Sequence, residues 1–147
     1  MKRLLAFIIL VLSFGITFNT KANSSSTGKG ELLLTDKTID YFLQYIKDKN
    51  PYLFLIAPLP SGQNFSIYWY CPSIHDCRFE NLGKFLNECK KIVRKNYDAN
   101  SKCYLFAKKR KIVWKNGINP GKGKISNTKR KFTKEDLISK LTELGFY

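Results

Sequence analysis

The chain has 147 residues, with 26 Lys and Arg against 11 Asp and Glu, which gives a formal net charge of +15 at pH 7. This length predicts one domain with a modest hydrophobic core and excludes an assembly of several domains. The positive charge favours polyanionic partners, although a lysine-rich composition is an alternative explanation, and the charge does not define the fold.

Residues 1–22 have the three regions of a secretory signal peptide. Lys2 and Arg3 precede an uncharged apolar run over residues 4–18, and Thr20 and Ala22 are small residues before the expected cleavage site. The alternative is an uncleaved membrane anchor, but the run is shorter than the roughly 18 residues that span a bilayer. We therefore expect cleavage after Ala22 and a periplasmic or secreted protein. Its net charge would be +12, because Lys2, Arg3 and Lys21 are lost with no acidic residue.

The first half of the mature chain predicts a helix and two strands. Residues 23–30 are polar and read as a flexible linker. A helix capped by Thr35 or Asp36 is expected to run to Asp48, since apolar residues recur at helical spacing. A buried strand over residues 52–57 and an alternating strand over residues 65–71 follow, separated by a turn at residues 58–62.

The second half predicts a helix over residues 80–97, a strand over 103–107, a basic turn over 108–111 and a strand over 112–114. Residues 116–131 read as a basic linker, and residues 132–147 as a C-terminal helix. The expected fold is α+β with order αββαββα, in which a mostly antiparallel sheet of about four strands carries the helices on one side and residues 31–115 form a disulfide-stabilised domain. Residues 52–54 followed by 67–69 resemble residues 104–106 followed by 112–114. The likeness could reflect a duplicated helix–strand–strand unit, or it could arise by chance.

Four cysteines, an even number in an exported chain, predict disulfide bonds. Three pairings are possible on count alone. We favour Cys89–Cys103, because an antiparallel strand that starts near Lys102 would pass Cys89 on the preceding helix. Cys71–Cys77 would then close the loop between the second strand and that helix.

His75 is the single histidine and lies between Cys71 and Cys77. These three residues could form a thiolate–imidazole nucleophile or a metal site, with Asp76 and Glu80 nearby as an acid–base pair. The favoured alternative is a surface histidine inside a disulfide loop, since paired Cys-x-x-Cys units are absent and the compartment oxidises thiols. Glu80 would then be an acidic residue in the first turn of the helix, where a negative charge interacts favourably with the helix dipole. We predict no catalytic residue, metal ligand or cofactor.

Two candidate binding surfaces remain. Residues 108–134 contain eleven Lys and Arg and no acidic residue, and basic segments of this kind bind anionic polymers or membrane surfaces. The second candidate is an aromatic strand face that would be exposed if all helices covered the other side of the sheet. The alternative is that the C-terminal helix or a second subunit covers it. The polyanion candidates are Lys108, Lys109, Arg110, Lys111, Lys129, Arg130 and Lys131, and the aromatic candidates are Tyr68, Tyr70, Tyr104 and Phe106.

The sequence Cys-Tyr-Leu-Phe-Ala at residues 103–107, followed by Ile-Val-Trp-Lys-Asn-Gly at residues 112–117, resembles a module in short exported alphaproteobacterial proteins of unknown function. The resemblance covers roughly residues 65–117. It implies a bacterial envelope location and no functional site.

The leading expectation is a non-enzymatic binding module for an anionic cell-envelope partner, namely an anionic polymer, a lipid surface or an acidic envelope protein. Nucleic acid is less favoured because the protein is exported. One alternative is a thiol redox or metal-dependent enzyme centred on Cys71, His75 and Cys77. Another is an envelope structural protein that docks through its C-terminal helix.

Overall fold

The computed structural model describes residues 26–73, 77 and 81–147; the predicted signal peptide, His75, Asp76 and Glu80 lie outside them. The helices are α1 (Asp36–Lys47), α2 (Leu82–Asn96) and α3 (Lys134–Glu143), and the strands are β1 (Pro51–Pro58), β2 (Asn64–Tyr70), β3 (Tyr104–Lys108) and β4 (Lys111–Ile112). The strands form an antiparallel sheet of order β2-β1-β3-β4. The α+β class and the element order αββαββα are confirmed.

Strand β1 is buried on both of its faces. Every residue from Pro51 to Ala57 is buried. Phe54 and Ile56 belong to the core cluster that includes α1 and α3, whereas Leu53 and Leu55 belong to a second cluster with α2. The prediction that all helices pack on one side is therefore wrong. A run of consecutive apolar residues leaves a strand no polar face for solvent, so both faces must be covered.

The helix boundaries follow local capping. The side chain of Thr35 accepts a hydrogen bond from the Thr38 amide at the start of α1, and Asn81 does the same for Gly83 in α2. Thr133 and Asp136 form a reciprocal capping box at the start of α3. These side chains satisfy amides that have no partner within the helix. The buried residues of α1 and α3 belong to one core cluster and those of α2 to the other.

Both predicted disulfides are confirmed. Cys89–Cys103 joins α2 to the residue before β3, with the Cα atoms 6.1 Å apart, and Cys71–Cys77 closes the loop after β2, with the Cα atoms 5.8 Å apart. The first bridge fastens the helix that covers the second core cluster to the sheet beneath it. No cysteine is free in the described chain.

Residues 26–30, predicted as part of a linker, instead extend the sheet. The Leu105 amide donates to the Ser26 carbonyl at 2.8 Å, and the Gly28 amide donates to the Leu105 carbonyl. The indole N–H of Trp114 donates to the Gly30 carbonyl at 2.9 Å. Because β4 is only two residues long, this segment supplies backbone partners that β4 does not reach.

Residues 116–131, predicted as a basic linker, are part of the domain. Asn119 is buried, and its amide nitrogen donates to the Trp114 carbonyl at 2.7 Å while its amide oxygen accepts from the Ser126 hydroxyl at 2.6 Å. Buried polar groups persist when they are hydrogen-bonded to one another. The C-terminal helix is equally integrated, since Leu137, Leu141 and Leu144 are fully buried in the α1 cluster.

The sheet does not support a simple duplication. Its order would suit a two-fold axis between the central strands β1 and β3. An axis that exchanges two antiparallel neighbours runs perpendicular to the sheet, so it would place α1 and α2 on the same face. They lie on opposite faces.

The docking of residues 26–30 can be tested at Gly28. A Cβ atom at this position would lie 1.9 Å from the Trp114 ring, so Gly28→Ala should lower the free energy of unfolding by about 1–3 kcal/mol through overpacking. Urea unfolding measures the change, with Ser26→Ala as the exposed control. Equal stability of the two variants would show that this segment does not pack on Trp114.

Candidate functional site

The basic turn between β3 and β4 lies beside residues 129–131. Lys108 pairs with Lys111 across a two-residue loop, in which Lys109 adopts a positive φ of 54°. The amide and hydroxyl of Thr128 both donate to the Arg110 carbonyl, at 2.7 and 2.9 Å. Two basic segments that are separate in sequence thereby form one surface, which we name the turn patch: Lys108, Lys109, Arg110, Lys111, Lys129, Arg130 and Lys131.

The two arginines of the turn patch bind the C-terminal end of α1. Arg110 Nε donates to the Ile46 carbonyl at 2.8 Å, and its Nη2 donates to the Asp48 carbonyl. Arg130 Nε donates to the Lys47 carbonyl at 3.1 Å. The last carbonyls of a helix lack intrahelical partners and carry the negative end of its dipole, so guanidinium groups satisfy both demands. These arginines therefore have a structural role.

Tyr45 connects the same turn to the core. Its hydroxyl donates to the Lys109 carbonyl, and burial raises the pKa of Tyr45 well above its ordinary value, so the hydroxyl stays a donor. Partial burial and, to a smaller degree, the nearby Arg130 lower the pKa of Arg110. A guanidinium group titrates so far above neutrality that Arg110 remains charged.

The five lysines of the turn patch are exposed and unpaired. In the part of the chain that the structure describes, the salt bridges are Lys134–Asp40 and Lys140–Glu143, neither of which involves the patch. A shallow cleft of about 480 Å³ lies between the turn and Asn127. Exposed Lys47 and Lys49 extend the positive surface around the end of α1. The patch thus presents exposed ammonium groups on a backbone that hydrogen bonds from Thr128, Arg110 and Arg130 hold in place.

The second candidate surface, the aromatic strand face, is largely covered. Phe106 is fully buried against Phe42 and Phe146, and Tyr68 packs 4.9 Å from the ring of Tyr41. Tyr104 is half-buried and contacts Trp114. Only Tyr70 of the four is exposed. An aromatic platform is therefore not formed, because α1 and the C-terminal segment occupy that face of the sheet.

The structure gives little support to the alternative of a thiol redox or metal-dependent enzyme centred on Cys71, His75 and Cys77. Cys71 and Cys77 are bonded to each other, so neither sulfur is a thiolate nucleophile or ligand. Among the described residues, no group of three His, Cys, Asp or Glu side chains is placed to hold a metal ion.

No protein-family model, curated protein or solved structure was found to match the chain. The resemblance of residues 65–117 to exported alphaproteobacterial proteins stays a prediction. None of the helices in the described part of the chain has the length and apolar character needed to cross a membrane.

Charge density alone does not distinguish the structural role of the two arginines in the turn patch from the exposed state of its lysines. Arg110 and Arg130 each lie within a run of lysines, and an arginine among lysines indicates a residue that binds backbone carbonyls. A planar guanidinium can bond several carbonyls at once, whereas lysine acts as a point charge. Patch arginines should be structural and patch lysines free to bind.

Removing Arg110 should therefore destabilise the fold, whereas removing Lys111 should not. We expect Arg110→Ala to lower the free energy of unfolding by about 1–2 kcal/mol, through lost charged hydrogen bonds, with Arg110→Lys restoring part of the loss. The matched variant Lys111→Ala should change stability by less than about 0.5 kcal/mol. Urea unfolding measures all three, and equal losses for Arg110→Ala and Lys111→Ala would contradict the structural role of the arginine.

Proposed function

We propose that the protein is a non-enzymatic binding module for an anionic cell-envelope partner and that the turn patch is its binding surface. The observation that carries the proposal is the exposed, unpaired state of Lys108, Lys109, Lys111, Lys129 and Lys131 on a backbone held by Arg110 and Arg130.

The chemistry of lysine favours a partner with many anionic groups. An ammonium group is a strongly hydrated point charge on a flexible stem, so it attracts anions without demanding one geometry. The cleft in the patch is shallow, and Lys or Arg supplies four of its seven lining residues, unlike the enclosed pockets that bury most of a small molecule. An anionic polymer or a layer of lipid head groups suits a surface that extends from the turn to the end of α1.

The proposal also uses the expected export of the chain. The two disulfides support an oxidising compartment, where envelope polymers and lipid head groups are the abundant anions. The alternative of docking through the C-terminal helix has less support, because Leu137, Leu141 and Leu144 on its apolar face are already buried in the core.

Neutralising the lysines of the turn patch should weaken binding to anions. We expect the variant Lys108→Gln/Lys111→Gln/Lys129→Gln/Lys131→Gln to lose tenfold or more in affinity for polyphosphate at low salt, since each neutralised lysine removes a cation that displaces counterions. Titration at several salt concentrations measures both the affinity and its salt dependence. The slope of log affinity against log salt should become shallower by about 3–4 for the variant, if each lysine contacts one anionic group.

The matched control removes the same charge elsewhere. Lys84→Gln/Lys90→Gln/Lys91→Gln/Lys95→Gln changes four lysines on α2, which covers the opposite face of the sheet, and should lose much less affinity. Equal losses would mean that net charge and not the turn patch governs binding. Vesicles with and without phosphatidylglycerol, tested in parallel, distinguish a lipid surface from a polymer. Absence of binding to both probes at low salt would overturn the proposal.

A further inference from the structure

The outer edge of β2 has no strand partner among the described residues, in which β2 pairs with β1 alone. Its sequence, Asn-Phe-Ser-Ile-Tyr-Trp-Tyr, contains no charged residue and no proline. Natural proteins usually protect such edges with lysine, proline or a bulge on the exposed side. This edge lacks the charge and the proline, so it can accept another strand.

A cleft of about 530 Å³ lies beside one end of this edge. Its lining includes Tyr41 of α1, Asn64 and Ser66 of β2, and Tyr97, which follows α2. Tyr97 is 58% exposed and packs with its ring 5.2 Å from Phe65. The opposite end of β2 carries Tyr70, which is 57% exposed. Two large exposed aromatic side chains thus mark the two ends of one open strand.

We propose that β2 pairs antiparallel with β2 of a second copy of the chain, about a two-fold axis at Ile67. An antiparallel pair centred on this residue places Asn64 opposite the partner's Tyr70 and Phe65 opposite the partner's Trp69. Tyr70 of each copy then arrives at the mouth of the other copy's cleft, beside Asn64 and Tyr97. The pairing also places aromatic residues directly across from each other, which favours antiparallel strands.

The high positive charge of the whole chain opposes pairing of two copies, but little of that charge lies on this edge. The edge strand itself brings no lysine or arginine into the contact. The charged residues that line the cleft are Lys37 and Asp40 of α1, and Asp40 is paired with Lys134 at 2.6 Å. An isologous contact uses the same surface of both copies and must be self-complementary. This requirement is met here, because each copy supplies one Tyr70 and one cleft. The remaining repulsion between two basic chains is screened by salt, so dimerisation should strengthen as salt rises. Binding of a polyanion to the turn patch has the opposite salt dependence.

Sedimentation equilibrium across micromolar concentrations, at about 0.15 M and about 1 M salt, tests the pairing. We expect a monomer–dimer equilibrium that shifts toward the dimer at the higher salt concentration. The variant Tyr70→Lys places an ammonium group at each cleft and should raise the dimer dissociation constant at least tenfold. Ser66→Lys, nearer to the axis, should do the same. The matched control is Ile118→Lys, which makes the same kind of change at a residue that is 62% exposed in the loop after β4.

The variants must melt at temperatures close to that of the parent chain, which the exposure of Tyr70 predicts. A parent chain that remains monomeric at both salt concentrations, or a dimer that Tyr70→Lys and Ile118→Lys weaken equally, would overturn the pairing through β2. Polyphosphate affinity, measured on the Tyr70→Lys variant at a concentration at which the parent chain is monomeric, tests the turn patch independently, so that failure of one proposal does not decide the other.

Discussion

The burial of β1 on both faces is the constraint on which the rest of the fold depends. A strand that is apolar along most of its length must be covered twice, and a chain with three short helices has little material for two layers. Here α1 and α3 cover one face, while α2 alone covers the other. The disulfide Cys89–Cys103 fastens this single helix to the strand beside β1. Covalent attachment thus supplements the thinner of the two layers, by restricting the unfolded chain.

The same arrangement produces the turn patch. Because α1 lies across the sheet, its C-terminal end comes to the turn between β3 and β4, where Arg110 and Arg130 bond its last carbonyls. The interactions that hold the turn use backbone carbonyls and the two guanidinium groups, and they consume none of the lysine ammonium groups. Structural and binding roles are therefore divided by residue type, and a substitution can alter one role without the other.

Much of the fold could be predicted from periodicity and local signals. The helices, the order of elements along the chain and both disulfides follow from apolar spacing, capping residues and the position of Cys103 after the turn, whereas the order of the strands within the sheet was not predicted. The placement of the helices on both faces depends on how the strands pack, although the consecutive apolar residues of β1 contained the signal. The role of residues 116–131 could not be inferred from composition. Asn119 and Ser126 are typical linker residues, and their burial depends on hydrogen bonds to each other and to the Trp114 and Lys122 carbonyls.

The candidate site was predictable in its residues and not in its geometry. Seven basic positions could be chosen from charge density, but their convergence depends on the bonds of Thr128 to the Arg110 carbonyl, between segments 18 residues apart. The aromatic candidates failed for a related reason. Alternation along a strand identifies which residues share a face, as it does for Tyr68 and Tyr70, but it does not say which face remains open.

The two edges of the sheet differ in a way that links charge to assembly. At one edge β4 carries Lys111, whose backbone forms a β-bridge with Asn127 in the following loop. The adjacent turn carries further lysines. At the other edge β2 is uncharged throughout, in a chain that places a lysine or arginine at 26 of its 147 positions. A charged edge discourages pairing and an uncharged one permits it. If β2 joins two copies, the sheet would extend to eight strands with β4 of each copy at its ends, so that the turn patches lie toward opposite ends of the dimer. Two patches on one particle would bind an extended polyanion with greater avidity than either patch alone.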